Sequence, residues 1–190
     1  MAKNVTLPEI LDYEEVNRLK SIPNKRYPTG LRNRAIIDLM LNTGLRVSEV
    51  INLKPSDVKL TDKPKVTVKQ GKGKKDRMVT LRADIIDILK AWESIKPKDT
   101  KYYFTTLEGT RLNRIYIYNM IKRYSIKARI DKSIHPHTLR HTFATDYYRQ
   151  TKDIETLRMI LGHDDIATTN IYITLSNVDI ENGMNSTKAL

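Results

Sequence analysis

The chain has 190 residues, of which 39% are hydrophobic, so it can bury one substantial core or two small ones. Lys and Arg exceed Asp and Glu by 34 − 22 = 12, which favours nucleic acid as a partner, with a merely solubilising surface as the alternative. The absence of cysteine excludes disulfides and thiolate metal sites, and no apolar run approaches the ~18 residues needed to span a bilayer.

The first predicted elements are two helices separated by a loop. Residues 12–15 start a helix whose apolar positions lie three apart. A loop that contains Pro and Gly, residues 23–30, ends this helix. Residues 31–42 place apolar side chains at helical spacing and predict a buried helix, and Gly44 suits its C-terminal end.

A short helix and a β-hairpin follow. The helix opens near residues 47–50, where Ser48 or Glu49 suits the positive helix end. Within residues 63–81 apolar and polar side chains alternate, and the turn at residues 71–76 is rich in Gly and Lys. This pattern predicts a hairpin with a basic tip.

The second half of the chain predicts mostly helix. Apolar residues recur at helical spacing in four further segments, which are residues 83–92, 112–130, 138–150 and 153–161. We therefore expect an α+β fold that is mainly α-helical with a small antiparallel β-sheet or hairpin.

The hairpin tip Gly71-Lys72-Gly73 lacks the spacing of a nucleotide P-loop, which argues against an ATPase. A lysine at such a tip can instead reach into a DNA groove and donate a proton to a departing oxygen. A solvated basic turn is the alternative interpretation of Lys72.

Arg46, Arg140 and His163 have the chemistry needed to stabilise a phosphoryl-transfer transition state. Its negative charge is spread over several oxygens, which need fixed donors on several sides, and the planar fork of arginine suits that task. Each residue also has a structural interpretation. Arg46 could cap a helix, Arg140 could form a partly buried ion pair, and His163 could cap a helix C-terminus.

Tyr172 is the candidate nucleophile. The chain holds ten tyrosines, and most tyrosines, as Tyr147 and Tyr148 illustrate, simply pack with the hydroxyl at the surface. A phenolic oxygen becomes a useful nucleophile only when it is oriented in line with the bond that breaks and when its proton is removed. The position of Tyr172, nine residues after His163, favours it over the others.

These motifs, in this order, resemble the tyrosine recombinase family, which comprises the phage integrases and related site-specific recombinases. The resemblance covers most of the chain, and Tyr172 falls where the family's nucleophile lies. The matching segments are residues 43–49, 71–77, 137–141 and 161–163.

The resemblance implies that Tyr172 attacks a DNA phosphate to give a 3′-phosphotyrosyl enzyme and a free 5′-hydroxyl, without a metal or other cofactor. Arg46 and Arg140 would hold the phosphate oxygens, and His163 would donate a further hydrogen bond. Lys72 resembles the general acid for the 5′-oxygen, and His137 the residue that handles the proton of the nucleophile.

The resemblance also implies supporting roles. Glu49 would orient the catalytic groups, although a helix N-terminal charge is the simpler interpretation. His141 would support the helix behind Arg140. The remaining basic residues of the hairpin, Lys74, Lys75 and Arg77, would bind DNA.

The resemblance sets expectations about domains and assembly. Residues 1–175 would form the catalytic domain, and residues 176–190 a C-terminal tail that could be exchanged with a neighbouring protomer. The N-terminal core-binding domain of the family would be absent, so the chain would be a dissected catalytic domain or a minimal recombinase. Double-stranded DNA and further copies of the chain, as a tetramer on DNA, would be its partners.

The function expected from the sequence is site-specific cleavage and rejoining of DNA by a recombinase or integrase. Two alternatives stay open, a type IB topoisomerase that relaxes supercoils and a non-cleaving DNA-binding regulator. A regulator needs no aimed tyrosine, so the full set from Arg46 to Tyr172 argues against it. We expect a cytoplasmic protein of a prokaryote that acts at the nucleoid and has no membrane partner.

Overall fold

The computed structural model describes residues 7–69 and 76–177, and it confirms a mainly helical fold with a small antiparallel sheet. Within these ranges no helix is both long enough and apolar enough to cross a membrane. The helices are α1 Tyr13–Ser21, α2 Pro28–Thr43, α3 Val47–Val50, α4 Ile86–Ile95, α5 Arg114–Lys127, α6 Pro136–Thr151 and α7 Ile154–Leu161. The strands are β1 Val58–Lys59, β2 Lys65–Val68 and β3 Arg77–Thr80. Short 3-10 turns occupy Pro55–Asp57, Ala83–Ile85 and Ile166–Thr168, and residues 171–177 are helical.

Helix α2 lies at the centre of the domain, where it packs against α4 and α6. Its start was predicted too late, since Pro28 and Gly30 lie inside its first turn and not in the preceding loop. A proline is tolerated there because the first N–H groups of a helix have no partner within the helix. Gly30 is required by close packing, since a Cβ at this position would lie 2.0 Å from the carbonyl oxygen of Asn24.

The end of α2 was predicted correctly. Gly44 caps the helix in the left-handed conformation, with φ of 63°, and a Cβ there would lie 2.4 Å from Cδ1 of Phe143 on α6. This tight turn directs the chain into α3. It therefore places Arg46 beside α6.

The sheet has the order β1-β2-β3 and is antiparallel throughout. The predicted hairpin is β2 and β3, with Lys65 opposite Thr80 and Val68 opposite Arg77. The two-residue strand β1 is too short to leave a pattern in the sequence. The predicted basic tip, residues 71–75, lies outside the described residues.

The apolar core has two parts. The main cluster lies between α2, α4, α5, α6 and the sheet. A smaller cluster lies where α6, α7 and residues 171–177 meet, and it includes Leu157, Leu161 and the ring of Tyr172. Packing in this smaller cluster thus fixes the segment that carries the candidate nucleophile.

Candidate active site

Arg140 on α6 joins the ends of two other helices. Its side chain is almost fully buried, with 4% exposed. Its Nη1 donates to the Gly44 carbonyl oxygen at 2.6 Å and its Nη2 to the Leu161 carbonyl oxygen at 2.8 Å. The same Nη2 lies 2.9 Å from Nε2 of His163. Burial and the charge of Arg46 lower the pKa of Arg140 to about 10, so it stays charged at neutral pH.

Arg46 is the more accessible arginine, with 35% of its side chain exposed. It is the N-cap residue of α3, as the structural interpretation of the sequence allowed. Its Nη1 donates to Oε1 of Glu49 at 3.2 Å, and its Nη2 to the carbonyl oxygen of Gly162 at 3.3 Å. These bonds place its guanidinium next to the end of α7, one residue before His163.

His163 follows Gly162, which ends α7 in the left-handed conformation with φ of 64°. Its Nδ1 lies 3.0 Å from Oγ1 of Thr169, a buried threonine that sequence reasoning did not single out. If Arg140 donates to Nε2, the neutral ring carries its proton on Nδ1 and donates to Thr169. Burial and the charges of Arg140 and Arg46 lower the pKa of His163 to about 4. An arriving phosphate would raise this pKa, because a negative charge favours the protonated ring.

Tyr172 lies in the helical residues 171–177 and is 1% exposed. Its hydroxyl is 3.0 Å from Nδ1 of His141 on α6. Burial raises the pKa of Tyr172, and the charges of Arg140 and Arg46 oppose this. Burial and the charges of His137 and Arg140 lower the pKa of His141 to about 4. A neutral imidazole can therefore accept the tyrosine proton at pH 7.

His137 lies one turn before His141 on α6. It lies exposed in the first turn of α6, with its ring edge-on to that of His135 and the ring centroids 6.2 Å apart. The resemblance implied that His137 handles the proton of the nucleophile, and this role stays a prediction, whereas the imidazole in contact with the Tyr172 hydroxyl is that of His141. Residues four apart share one helix face, so the sequence alone does not show which histidine reaches the tyrosine.

The placement of Arg77 corrects its predicted role in DNA binding. Only 8% of its side chain is exposed. Its Nε donates to the carbonyl oxygen of Ile160 at 2.6 Å, and its Nη1 and Nη2 donate to the two carboxylate oxygens of Glu49 at 2.9 and 2.8 Å. A buried guanidinium needs such partners. Arg77 therefore binds other residues of the protein and not DNA at the surface.

Three predicted residues of the hairpin tip, Lys72, Lys74 and Lys75, lie outside the described residues, so their roles stay predictions. Among residues 7–69 and 76–177 no three His, Asp or Glu side chains are grouped to hold a metal ion. The described part of the site offers two guanidinium groups, two neutral imidazoles and a phenol. The guanidinium and imidazole groups can hold a tetrahedral anion such as a phosphate, and the phenol can attack it.

The two neutral histidines should make the stability of the fold depend on pH. Unfolded imidazoles take up a proton near pH 6.5, whereas folded His141 and His163 stay neutral down to about pH 4. Between these values the unfolded state binds more protons, so the free energy of unfolding falls as the pH falls. The slope is at most about 1.4 kcal/mol per pH unit for each histidine, and less here because both rings are partly exposed to solvent.

Thermal denaturation between about pH 7 and about pH 5 measures this effect. We expect the Tm of the wild type to drop toward pH 5 and the Tm of His141→Asn to drop less steeply. A wild-type Tm that stays constant across this range would contradict the placement of both rings.

Comparison with known proteins identifies the family of the chain. The model of the Phage integrase family matches residues 9–178, a range that holds every described residue of the site. Among curated proteins, the tyrosine recombinase XerD of Staphylococcus saprophyticus is 40% identical over 181 residues, which are 92% of this chain and 60% of that protein. This chain thus spans 60% of the length of that relative.

Solved structures of recombinases superpose on the whole fold. The crystal structure of XerA recombinase matches with a TM-score of 0.83 and 32% identity, covering 100% of this chain and 68% of that one. XerH site-specific recombinase, bound to its palindromic difH substrate after cleavage, matches with a TM-score of 0.81 and 29% identity, covering 95% of this chain and 54% of that one. The chain belongs to the phage integrase family of tyrosine recombinases.

Proposed function

We propose that this chain carries the catalytic centre of a site-specific recombinase that cuts and rejoins double-stranded DNA by transesterification. The observation that carries the proposal is the hydrogen bond between the Tyr172 hydroxyl and His141, adjacent in sequence to Arg140. A phenol, a neutral base and a charged phosphate donor are thereby held close together on α6 and on the segment packed against it. This is the minimum needed for a tyrosine to attack a phosphodiester.

In the proposed reaction the oxygen of Tyr172 forms a bond to the phosphorus, and the bond from phosphorus to the 5′-oxygen breaks. The tyrosine proton passes to a neutral histidine, for which the contact geometry favours His141 over His137. Arg46 and Arg140 stabilise the charge on the non-bridging oxygens, and His163 adds a hydrogen bond. Attack by a 5′-hydroxyl on the phosphotyrosine reverses these steps and rejoins the strand.

Double-stranded DNA is the proposed substrate for two reasons. The chain carries a formal net charge of +12, which attracts the phosphate backbone by long-range field and counterion release. The similar XerH structures contain the difH substrate, before cleavage in one and after cleavage in the other. The proposal includes assembly of four copies on paired DNA sites, which sedimentation of the chain on its cleavage site would test.

The function is tested by mixing the protein with fragmented genomic DNA of its source organism and denaturing the mixture in SDS. DNA that stays attached to protein is then captured and sequenced. We expect adducts clustered at one sequence, which identifies the target site. Scattered adducts with relaxation of supercoiled plasmid would favour a topoisomerase, and a gel shift without adducts would favour a regulator.

A further prediction concerns Lys72 as the proposed general acid. Lys72→Ala should cleave an ordinary site slowly and regain its rate on a 5′-bridging phosphorothiolate, because a thiolate leaves without a proton. Arg140→Ala serves as the control, since it lacks charge stabilisation and should stay slow on both substrates. Cleavage rates on the two substrates give the result, and equal slowing of Lys72→Ala on both would remove Lys72 from this role.

A further inference from the structure

Arg77 is the first residue of strand β3 and forms a bidentate salt bridge with Glu49. The two terminal nitrogens of the guanidinium donate to the two carboxylate oxygens, while Nε donates to the Ile160 carbonyl oxygen. Parallel bonds of this kind fix both groups in one plane and add orientation as well as energy. Arg77 therefore determines the orientation of the Glu49 carboxylate relative to the end of α7.

Glu49 transmits this orientation to Arg46. Its Oε1 accepts from Nη1 of Arg46 at 3.2 Å, and its Oε2 accepts from the backbone N–H of Arg46 at 2.7 Å. Burial alone would raise the pKa of Glu49, but the hydrogen bonds and charge of Arg77, followed by those of Arg46, lower it. The carboxylate is thus ionised and shared between two arginines, of which only Arg46 is substantially exposed.

The end of α7 is the common support of this network. Its last carbonyl groups have no partners within the helix and carry partial negative charge. Four consecutive carbonyls each accept from a different arginine, which holds the guanidinium groups at a fixed spacing. The pairs are Ile160 with Arg77, Leu161 with Arg140, Gly162 with Arg46 and His163 with Arg158.

We propose that Arg77 is a positioning residue for DNA cleavage, which fixes Glu49 against α7 and so holds the guanidinium of Arg46 ready for the scissile phosphate. The inference rests on the proposed function. Arg77 acts from behind the DNA-facing groups, because only 8% of its side chain is exposed and three of its N–H groups donate to Glu49 and Ile160. Its effect on the reaction passes through Arg46.

The test compares Arg77→Gln with the wild-type chain on two substrates. One is the cleavage site found by adduct capture, and the other carries a methylphosphonate at the scissile position, which has no charge for Arg46 to neutralise. We expect cleavage of the phosphodiester to fall about 10²-fold, since a misplacement of about 1 Å in a catalytic group has that effect. Cleavage of the methylphosphonate should change far less.

Two further variants control the comparison. The quantity compared is the cleavage rate on the phosphodiester divided by the rate on the methylphosphonate. Arg77→Lys keeps the charge but cannot form the bidentate contact with Glu49, so this ratio should move in the same direction as in Arg77→Gln. Arg82→Gln removes an exposed arginine from the end of the same hairpin and should leave the ratio unchanged. An unfolded fraction lowers both rates equally and so does not alter the ratio. Equal loss on both substrates in the Arg77 variants would overturn the inference.

A second measurement decides the inference if the wild-type chain cleaves neither substrate, in which case the proposed function itself fails. The NMR order parameter of the Arg46 Nε–H group reports how firmly that side chain is held. We expect it to fall in Arg77→Gln and to stay unchanged in Arg82→Gln. An order parameter that is the same in Arg77→Gln as in the wild type would overturn the inference.

Discussion

Tyr172→Phe should abolish covalent attachment to DNA and leave DNA binding almost intact. The substitution removes the attacking oxygen and one hydrogen bond to His141, which is worth roughly 0.5–1.5 kcal/mol of folding stability. The ring stays in its apolar cluster, so we expect the fold and the basic surface to persist. SDS gels of protein mixed with labelled DNA measure attachment, and gel shifts measure binding.

Two tyrosines of the same apolar cluster provide matched controls. Tyr147→Phe and Tyr148→Phe remove a hydroxyl from partly buried rings on α6, and both should keep full attachment. Attachment that survives in Tyr172→Phe would show that another residue is the nucleophile. A loss of binding together with attachment would show instead that the hydroxyl supports the fold.

Arg140→Ala should slow cleavage by about 10²–10³-fold, the usual cost of removing one donor that stabilises transition-state charge. The loss is compounded because Arg140 also holds His163 through Nη2 and the α2 end through the Gly44 carbonyl. Single-turnover cleavage at saturating protein isolates this loss from any change in DNA affinity. A rate within a few-fold of the wild type would contradict the role of Arg140.

Chemical rescue separates this charge effect from unfolding. Truncation of a buried arginine leaves space of the size of the lost group, so added guanidinium ions should restore part of the Arg140→Ala rate. Sodium chloride at the same ionic strength should not. Rescue by both salts, or by neither in a variant that melts like the wild type, would argue against a guanidinium-specific function.

Much of the fold was predictable because its signals are local. Asp12 accepts from the backbone N–H of Glu15 and starts α1, Gly44 ends α2, and alternating residues form β2 and β3, as their patterns predicted. The order of Arg46, Arg140, His163 and Tyr172 along the chain likewise identified the family. These features depend on residues close together in sequence or on a motif that needs no coordinates.

The partners of individual side chains were less predictable because they depend on distant segments. Arg77 was expected to bind DNA with Lys74 and Lys75, yet its partners Glu49 and Ile160 lie 28 and 83 residues away in the chain. His137 and His141 share one face of α6 and lie about one turn apart along it, so which of them meets Tyr172 depends on where residues 171–177 cross the helix. Packing of the helices sets that crossing point, and one sequence does not reveal it.

Identifying the protein–DNA bond is the measurement that tests the proposed reaction most directly. One portion of the captured adducts is digested with nuclease and protease, and the modified peptide is identified by mass spectrometry. In a second, undigested portion the freed DNA end is labelled with polynucleotide kinase. We expect a nucleotide joined through its 3′-phosphate to Tyr172 and a free 5′-hydroxyl that accepts label. Linkage to another residue, or a 5′-phosphate at the released end, would contradict the proposed reaction.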